Sequence, residues 1–191
     1  LPNCPTDIDT TSLDYCLAYE SVPGPRTIFR GIQRLQPASV LTWSPGGPAR
    51  IECYWEADWS TKTTLSYPEA CRHLRSLIVA ATRARLISDV PVGAFLSGGV
   101  DSSVVVSAMA EVAAGEVKTF SIGFTQDAFN ETRYARMVAE KFGTTHEEFI
   151  VEPDAIRMLP KLAWHYDQPF SDSSALPTYY VSQMTRQRVT V

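Results

Sequence analysis

The sequence predicts an α/β fold in which a parallel sheet carries helices on both faces. Three observations lead there: short apolar runs at residues 90–96, 117–124 and 147–151, helical patterns in the segments between them, and a glycine pair where the first run gives way to a helix. Parallel strands need crossovers long enough to return the chain to the same edge, so strand and helix patterns that alternate favour a parallel sheet. Ligands of such sheets gather at the carboxyl ends of the strands.

Residues 1–65 are rich in Pro, Thr and turn formers. Within them, segments 39–43 and 50–55 flank Ser44-Pro45-Gly46-Gly47-Pro48, and a strong turn signal between two short strands predicts a β-hairpin. Ser66-Tyr67-Pro68-Glu69 then has capping-box spacing, with Cys71, Leu74, Ile78, Ala81 and Arg85 following at helical intervals. A helix over 67–87 is predicted, and with it the start of a second region. Residues 102–112 and 131–142 supply the next two helices, the latter stopping at Gly143. Two more are expected over 153–165 and 176–188, with Pro160 kinking the first. The expected domains are therefore 1–65 and 66–191, with the boundary near residues 56–66.

With 45% apolar residues, the chain can bury one ordinary core, or one domain plus part of another. No apolar run approaches the roughly 20 residues needed to cross a bilayer, and a cytoplasmic protein is expected. Lys and Arg number 17 against 21 Asp and Glu, which gives no broad electrostatic reason to expect nucleic acid as a partner. Any phosphate must be held locally. Cys4, Cys16, Cys53 and Cys71 lack zinc or dithiol spacing, and read as reduced thiols. The chain opens on Leu1 and closes on Val189-Thr190-Val191, which reads as the start of a strand. A fragment is expected on that ground.

Local phosphate binding has one clear candidate. Ser97-Gly98-Gly99-Val100-Asp101-Ser102-Ser103 follows a predicted strand and runs into a predicted helix. Two glycines let the backbone approach an anion and turn N–H groups inward, while the helix adds its free amides and the positive end of its dipole. Ser97, Ser102 and Ser103 offer hydroxyl donors to phosphate oxygens. Asp101 would repel a polyphosphate unless a cation stands between them, and Mg²⁺ is held by one or two carboxylates together with substrate phosphates. The Gly-Lys-Ser/Thr of a Walker loop is absent, which disfavours γ-phosphoryl transfer. The bland alternative is a tight strand-to-helix turn with Asp101 or a serine as N-cap.

Residues 97–102 match the Ser-Gly-Gly-x-Asp-Ser signature, and the chain resembles the ATP-pyrophosphatase superfamily. Pro91-Val92-Gly93-Ala94-Phe95-Leu96 before the loop, Phe120-Ser121-Ile122-Gly123-Phe124, Gly143-Thr144 and Asp167-Gln168-Pro169-Phe170 narrow the resemblance to the glutamine-hydrolysing asparagine synthetases. It runs over roughly residues 66–191. Pro25-Arg26-Thr27-Ile28-Phe29-Arg30-Gly31-Ile32 and Tyr54-Trp55 resemble the tail of that family's glutaminase (class II amidotransferase-like) domain, which would make the hairpin an amidotransferase remnant.

The resemblance implies an adenine nucleotide alpha hydrolase-like fold. It also implies Leu96 and Ile122 at the adenine, residues 97–103 at pyrophosphate, and Asp101 contacting it through Mg²⁺. ATP would be cleaved between its α and β phosphates to activate aspartate as an acyl-adenylate, which ammonia released from glutamine would convert to asparagine. Cys4 is not the amino-terminal nucleophile of the family's glutaminase, and the family's second nucleotide loop and its aspartate-binding residues lie beyond the part that matches. No complete synthetase reaction is expected of these residues alone. β-Lactam synthetases and peptide-cyclising adenylating enzymes share the loop, and a non-catalytic nucleotide-binding module is a third reading. Homo-oligomerisation stays open.

Other polar groups carry two readings each. Asp167, Asp172, Ser173 and Ser174 suit a substrate border or helix caps. His146 and His165 lack metal spacing and read as structural, Trp43, Tyr54, Trp55 and Trp59 as packing around the hairpin, and Arg83, Arg85, Glu131, Arg133 and Arg136 as solvated helix faces.

Overall fold

A computed structural model describes residues 4–125, 130–152 and 154–191. Leu1, and Pro153 at the expected start of a helix, lie outside the described residues. By internal contacts the chain forms two compact units, one of residues 1–63 with 159–173, the other of residues 64–158 with 174–191.

The first unit contains a helix that composition did not signal, α1 (Thr10–Tyr19). Its cap is Asp9, whose carboxylate accepts from the Thr11 amide at 3.2 Å, the Ser12 hydroxyl at 2.9 Å and the Arg26 guanidinium at 2.8 Å. These bonds satisfy one orphan amide of the first turn and tie the helix to a loop that follows it. Ser12, Cys16, Val22 and Ile28 are buried, and Arg34 bridges the Val22 carbonyl and the Gln168 side chain. The expected hairpin is present as β1 (Ser39–Thr42) antiparallel to β2 (Arg50–Cys53).

The second unit opens with α2 (Tyr67–Arg85), which has Pro68 in its first turn and a capping box. Glu69 accepts from the Ser66 amide at 2.9 Å and the Ser66 hydroxyl at 2.5 Å, and these bonds, the hydroxyl foremost, hold its carboxyl below the usual range. Ser66→Ala is expected to lower stability by about 1 kcal/mol, the usual loss for a removed N-cap hydroxyl. Chemical denaturation measures it, and an unchanged midpoint would mean that α2 does not depend on this cap.

Three parallel strands follow in the order β3 (Gly93–Phe95), β4 (Lys118–Phe124), β5 (Thr145–Val151), with Phe95 opposite Phe120 and Thr119 opposite His146. β3 is shorter than the apolar run predicts. Pro91 has no N–H to give a ladder, and its carbonyl instead accepts from the amides of Thr190 and Val191. The Gly93 amide donates to the Val191 carbonyl at 2.8 Å, whereas the Leu96 amide donates to Phe120 in β4. Residues 189–191 thus run beside β3 on the edge away from β4.

Helix α3 (Val100–Val112) follows β3, and α4 (Thr132–Phe142) follows β4 and ends on Gly143 at φ +64°. Leu96, Val106, Ala135 and Ala139 form one buried cluster, joined by Ala94 and Val138, so α3 and α4 cover the face that bears Ala94 and Leu96. α5 (Ala155–Tyr166) contains Pro160, and α6 (Ala175–Thr185) ends the series. Phe95, which alternation turns to the other face, shares a cavity lining with Ser182 and Thr185 of α6. Helices therefore flank both faces. Among the described residues no helix is long and apolar enough to cross a membrane.

Candidate functional site

β3 is where the sheet changes direction: the chain proceeds from it to β4 and β5 on one side, while residues 189–191 return to its other side. Such a switch point leaves a crevice at the strand's carboxyl end, because the connections on its two sides leave in opposite directions. The Ser97–Gly99 turn leaves β3 at that end.

Gly98 is fixed by two constraints. Its φ is +81°, a left-handed conformation that costs an L side chain roughly 1–2 kcal/mol. A Cβ there would also lie 2.5 Å from the backbone of Tyr134 and of Ala135, so α4 forms the back wall of the turn. Gly99 caps α3 in extended geometry.

The turn satisfies part of its own hydrogen-bonding capacity. The Gly99 amide donates to Ser97 Oγ at 3.2 Å. Ser102 Oγ lies 3.0 Å from Ser97 Oγ and donates to the Gly99 carbonyl at 3.2 Å, and Ser103 Oγ donates to the same carbonyl at 2.7 Å. Ser103 therefore braces the turn. The amides of Val100, Asp101 and Ser102, in the first turn of α3, have no acceptor among the described residues. Asp101 is exposed in that turn and forms no ion pair among the described residues.

Beside the turn lies a cavity of about 420 Å³, lined by Leu96, Ser97, Phe120, Ser121, Ile122 and Phe124 from the sheet and its ends, Glu131 and Thr132 from the start of α4, and Ser174, Pro177, Thr178 and Val181. That size suits a small organic ligand, and aromatic and aliphatic walls with a few hydroxyls suit a heterocycle. The structure brings Leu96, Ser97 and Ile122 together there, although Leu96 is mostly enclosed in the α3–α4 core. Of the loop flanked by α5 and α6, Ser174 reaches the lining, whereas Asp167, Asp172 and Ser173 belong to the other unit.

The region matching the asparagine synthase family model spans residues 73–191. The chain belongs to the asparagine synthase family. It is 33% identical over 97% of its length to the glutamine-hydrolysing asparagine synthetase 1 of Bacillus subtilis, covering 29% of that protein. It is 37% identical over 96% of its length to the putative glutamine-hydrolysing asparagine synthetase 2 of Methanocaldococcus jannaschii, covering 35% of it. An amidase of Penicillium rubens is 26% identical over 79% of this chain. The chain thus spans about a third of the length of the curated synthetases it matches.

Sequence reasoning missed three neighbours of the site. Glu131 and Thr132 enter the lining because Gly123 lets β4 approach them: a Cβ at Gly123 would lie 2.8 Å from the Thr132 side chain. His146 sits between two hydroxyls of β4, its Nδ1 2.9 Å from Thr119 Oγ1 and its Nε2 3.2 Å from Ser121 Oγ. Burial holds its pKa below the usual value, against the pull of Glu148. Strand register makes these pairs, and register is not written in either strand alone.

Proposed function

We propose that this chain forms the pyrophosphate-gripping part of an ATP-dependent amide-forming enzyme, which makes asparagine from aspartate through an acyl-adenylate and releases AMP and pyrophosphate. The observation that carries this reading is the free first turn of α3 opening at the switch point beside a cavity lined by Leu96 and Ile122. Adenine would pack on Leu96 and Ile122. The β and γ phosphates would meet the amides of Val100, Asp101 and Ser102, with the Ser97 and Ser102 hydroxyls beside them.

Asp101 fits Mg²⁺ because its carboxylate is exposed, without an ion-pair partner among the described residues, and next to the amides that favour phosphate. Bound there, Mg²⁺ would neutralise the developing charge on pyrophosphate. The donors are set before the reaction begins, so they stabilise the departing pyrophosphate without reorganising. Aspartate, ammonia drawn from glutamine and a cytoplasmic setting belong to the same proposal. So does the division of labour, since the synthetase reaction needs residues beyond this third of the relatives' length.

Titration of the chain with ATP and with GTP, each in the presence of Mg²⁺, tests the reading. Saturable binding of ATP, at least about tenfold tighter than GTP, is expected if the base packs on Leu96 and Ile122 as proposed. Equal or absent binding of both would refute it. Aspartate-dependent AMP release is the separate test of the acceptor, since one relative is named an amidase.

A further inference from the structure

Two walls of the site share a support that neither the loop nor the cavity contains. On β4, Thr119 and Ser121 are buried hydroxyls directed to one side of the sheet, and Ser121 also lines the cavity. Between them stands the His146 ring, whose side chain is 8% exposed. Thr119 Oγ1 lies 2.8 Å from Thr144 Oγ1 as well, so one arrangement of protons satisfies the whole row. In that arrangement Thr144 donates to Thr119, Thr119 to Nδ1 and Nε2–H to Ser121, and the reversed row, running from Ser121 to Thr144 with the other tautomer, is satisfied equally. Burial of the ring, more than the row itself, favours its neutral form.

The second branch starts at Glu148, whose Oε1 is 3.7 Å from His146 Nε2. Its carboxylate is gripped by Arg136 of α4 at two points, Nε at 2.9 Å and Nη2 at 2.6 Å. Fork geometry of this kind fixes orientation as well as distance. Arg136 directly follows Tyr134 and Ala135, the residues whose backbone closes on Gly98. Bonded contacts thus run from Glu148 through Arg136 to the back of the loop, and the neutral His146 ring stands 3.7 Å from Glu148, just beyond hydrogen-bond reach.

We propose that His146 is a positioning residue for the nucleotide site, holding the cavity-lining residue Ser121 when neutral and, when protonated, drawing Glu148 away from the Arg136 that seats α4 behind Gly98. The inference rests on the ATP-binding reading. The charged groups acting on the ring are Glu148 from β5 and Arg136 from α4, while β4 presents only hydroxyls to it. A proton gained by His146 turns both ring nitrogens into donors and draws Nε2–H toward Glu148, in competition with Arg136 and away from Ser121. Because burial favours the neutral ring, this happens only at pH below the ordinary imidazole value of 6.5.

The test is titration with Mg²⁺ and ATP from pH 5 to 8, comparing the parent chain with His146→Gln and His146→Ala. Ionisation of ATP itself is common to all three proteins and cancels in the ratio of their dissociation constants. His146→Gln keeps a neutral amide near both hydroxyls, so we expect it to bind within about threefold of the parent at pH 7.5 and to gain on the parent as the pH falls below 6.5. His146→Ala leaves Ser121 and Thr119 without their shared partner and is expected to bind about tenfold more weakly at pH 7.5. If His146→Ala does not fold, the pH dependence of the Gln-to-parent ratio decides alone. A ratio independent of pH overturns the proposal. A parent chain that does not bind ATP at any pH defeats the ATP reading itself and this inference with it, whereas parent binding with a flat ratio defeats the inference only.

Discussion

Gly98→Ala is expected to abolish saturable ATP binding and to destabilise the unit formed by residues 64–158 and 174–191 by roughly 2–5 kcal/mol, the sum of left-handed strain and overpacking. The added methyl meets backbone atoms of α4 at 2.5 Å, and backbone within a helix cannot rotate aside as a side-chain end can. Relief requires either Gly98 to leave φ +81°, which redirects the turn, or α4 to retreat from Leu96, Val106 and the rest of their shared cluster. Either movement displaces the first turn of α3 relative to the cavity. Gly99→Ala is the matched control. Its φ is −67°, and the new methyl would meet only Ser97 Oγ, at 3.3 Å, a side-chain end that can give the few tenths of an ångström needed more readily than helix backbone. That variant should melt within about 1 kcal/mol of the parent. Urea denaturation followed by far-UV circular dichroism compares the pair, and equal stability of the two variants would show that α4 is not the rigid wall described here.

The contrast between the two glycines marks what sequence reasoning reached. It located the turn between strand and helix because local signals suffice for that: an apolar run, two glycines, then an apolar helix. The capping box of α2 and the Gly143 stop of α4 were equally local, each a short-range bond or a single dihedral. What makes Gly98 indispensable is instead a helix more than thirty residues later, and no property of residues 97–103 announces it. Arg136 and His146 illustrate the same limit. Each has an ordinary local explanation, a solvated helix face and a structural histidine, and the link between them exists only once β5 is in register with β4 and α4 lies over both. α1 escaped for a different reason: its Asp9 cap and its buried Ser12 and Cys16 sit amid turn-forming residues that dominated the reading of that region. The grouping of residues 159–173 with residues 1–63 is likewise a long-range outcome that no linear boundary expresses.

Asp101→Asn is expected to weaken the dependence of ATP affinity on Mg²⁺. In the parent, a carboxylate in the first turn of α3 stands next to amides that would bind phosphate, so ATP without metal meets like charge and ATP with Mg²⁺ meets a ligand for its cation. Removing the charge while keeping the shape should weaken Mg²⁺-dependent binding about tenfold or more, and should leave metal-free ATP bound as well as before or better. Only the Mg²⁺-dependent affinity falls, which separates a metal-recruiting role from a general loss of structure. A misfolded loop would lose both. Folding itself should hardly respond, because an exposed acid at a helix N-terminus contributes only about 0.3–1 kcal/mol through the dipole. Calorimetric titration with and without Mg²⁺ reads both affinities on the same sample. Equal metal dependence in the variant and the parent would remove Asp101 from the site, and with it the reason this loop combines an acid with phosphate-binding amides.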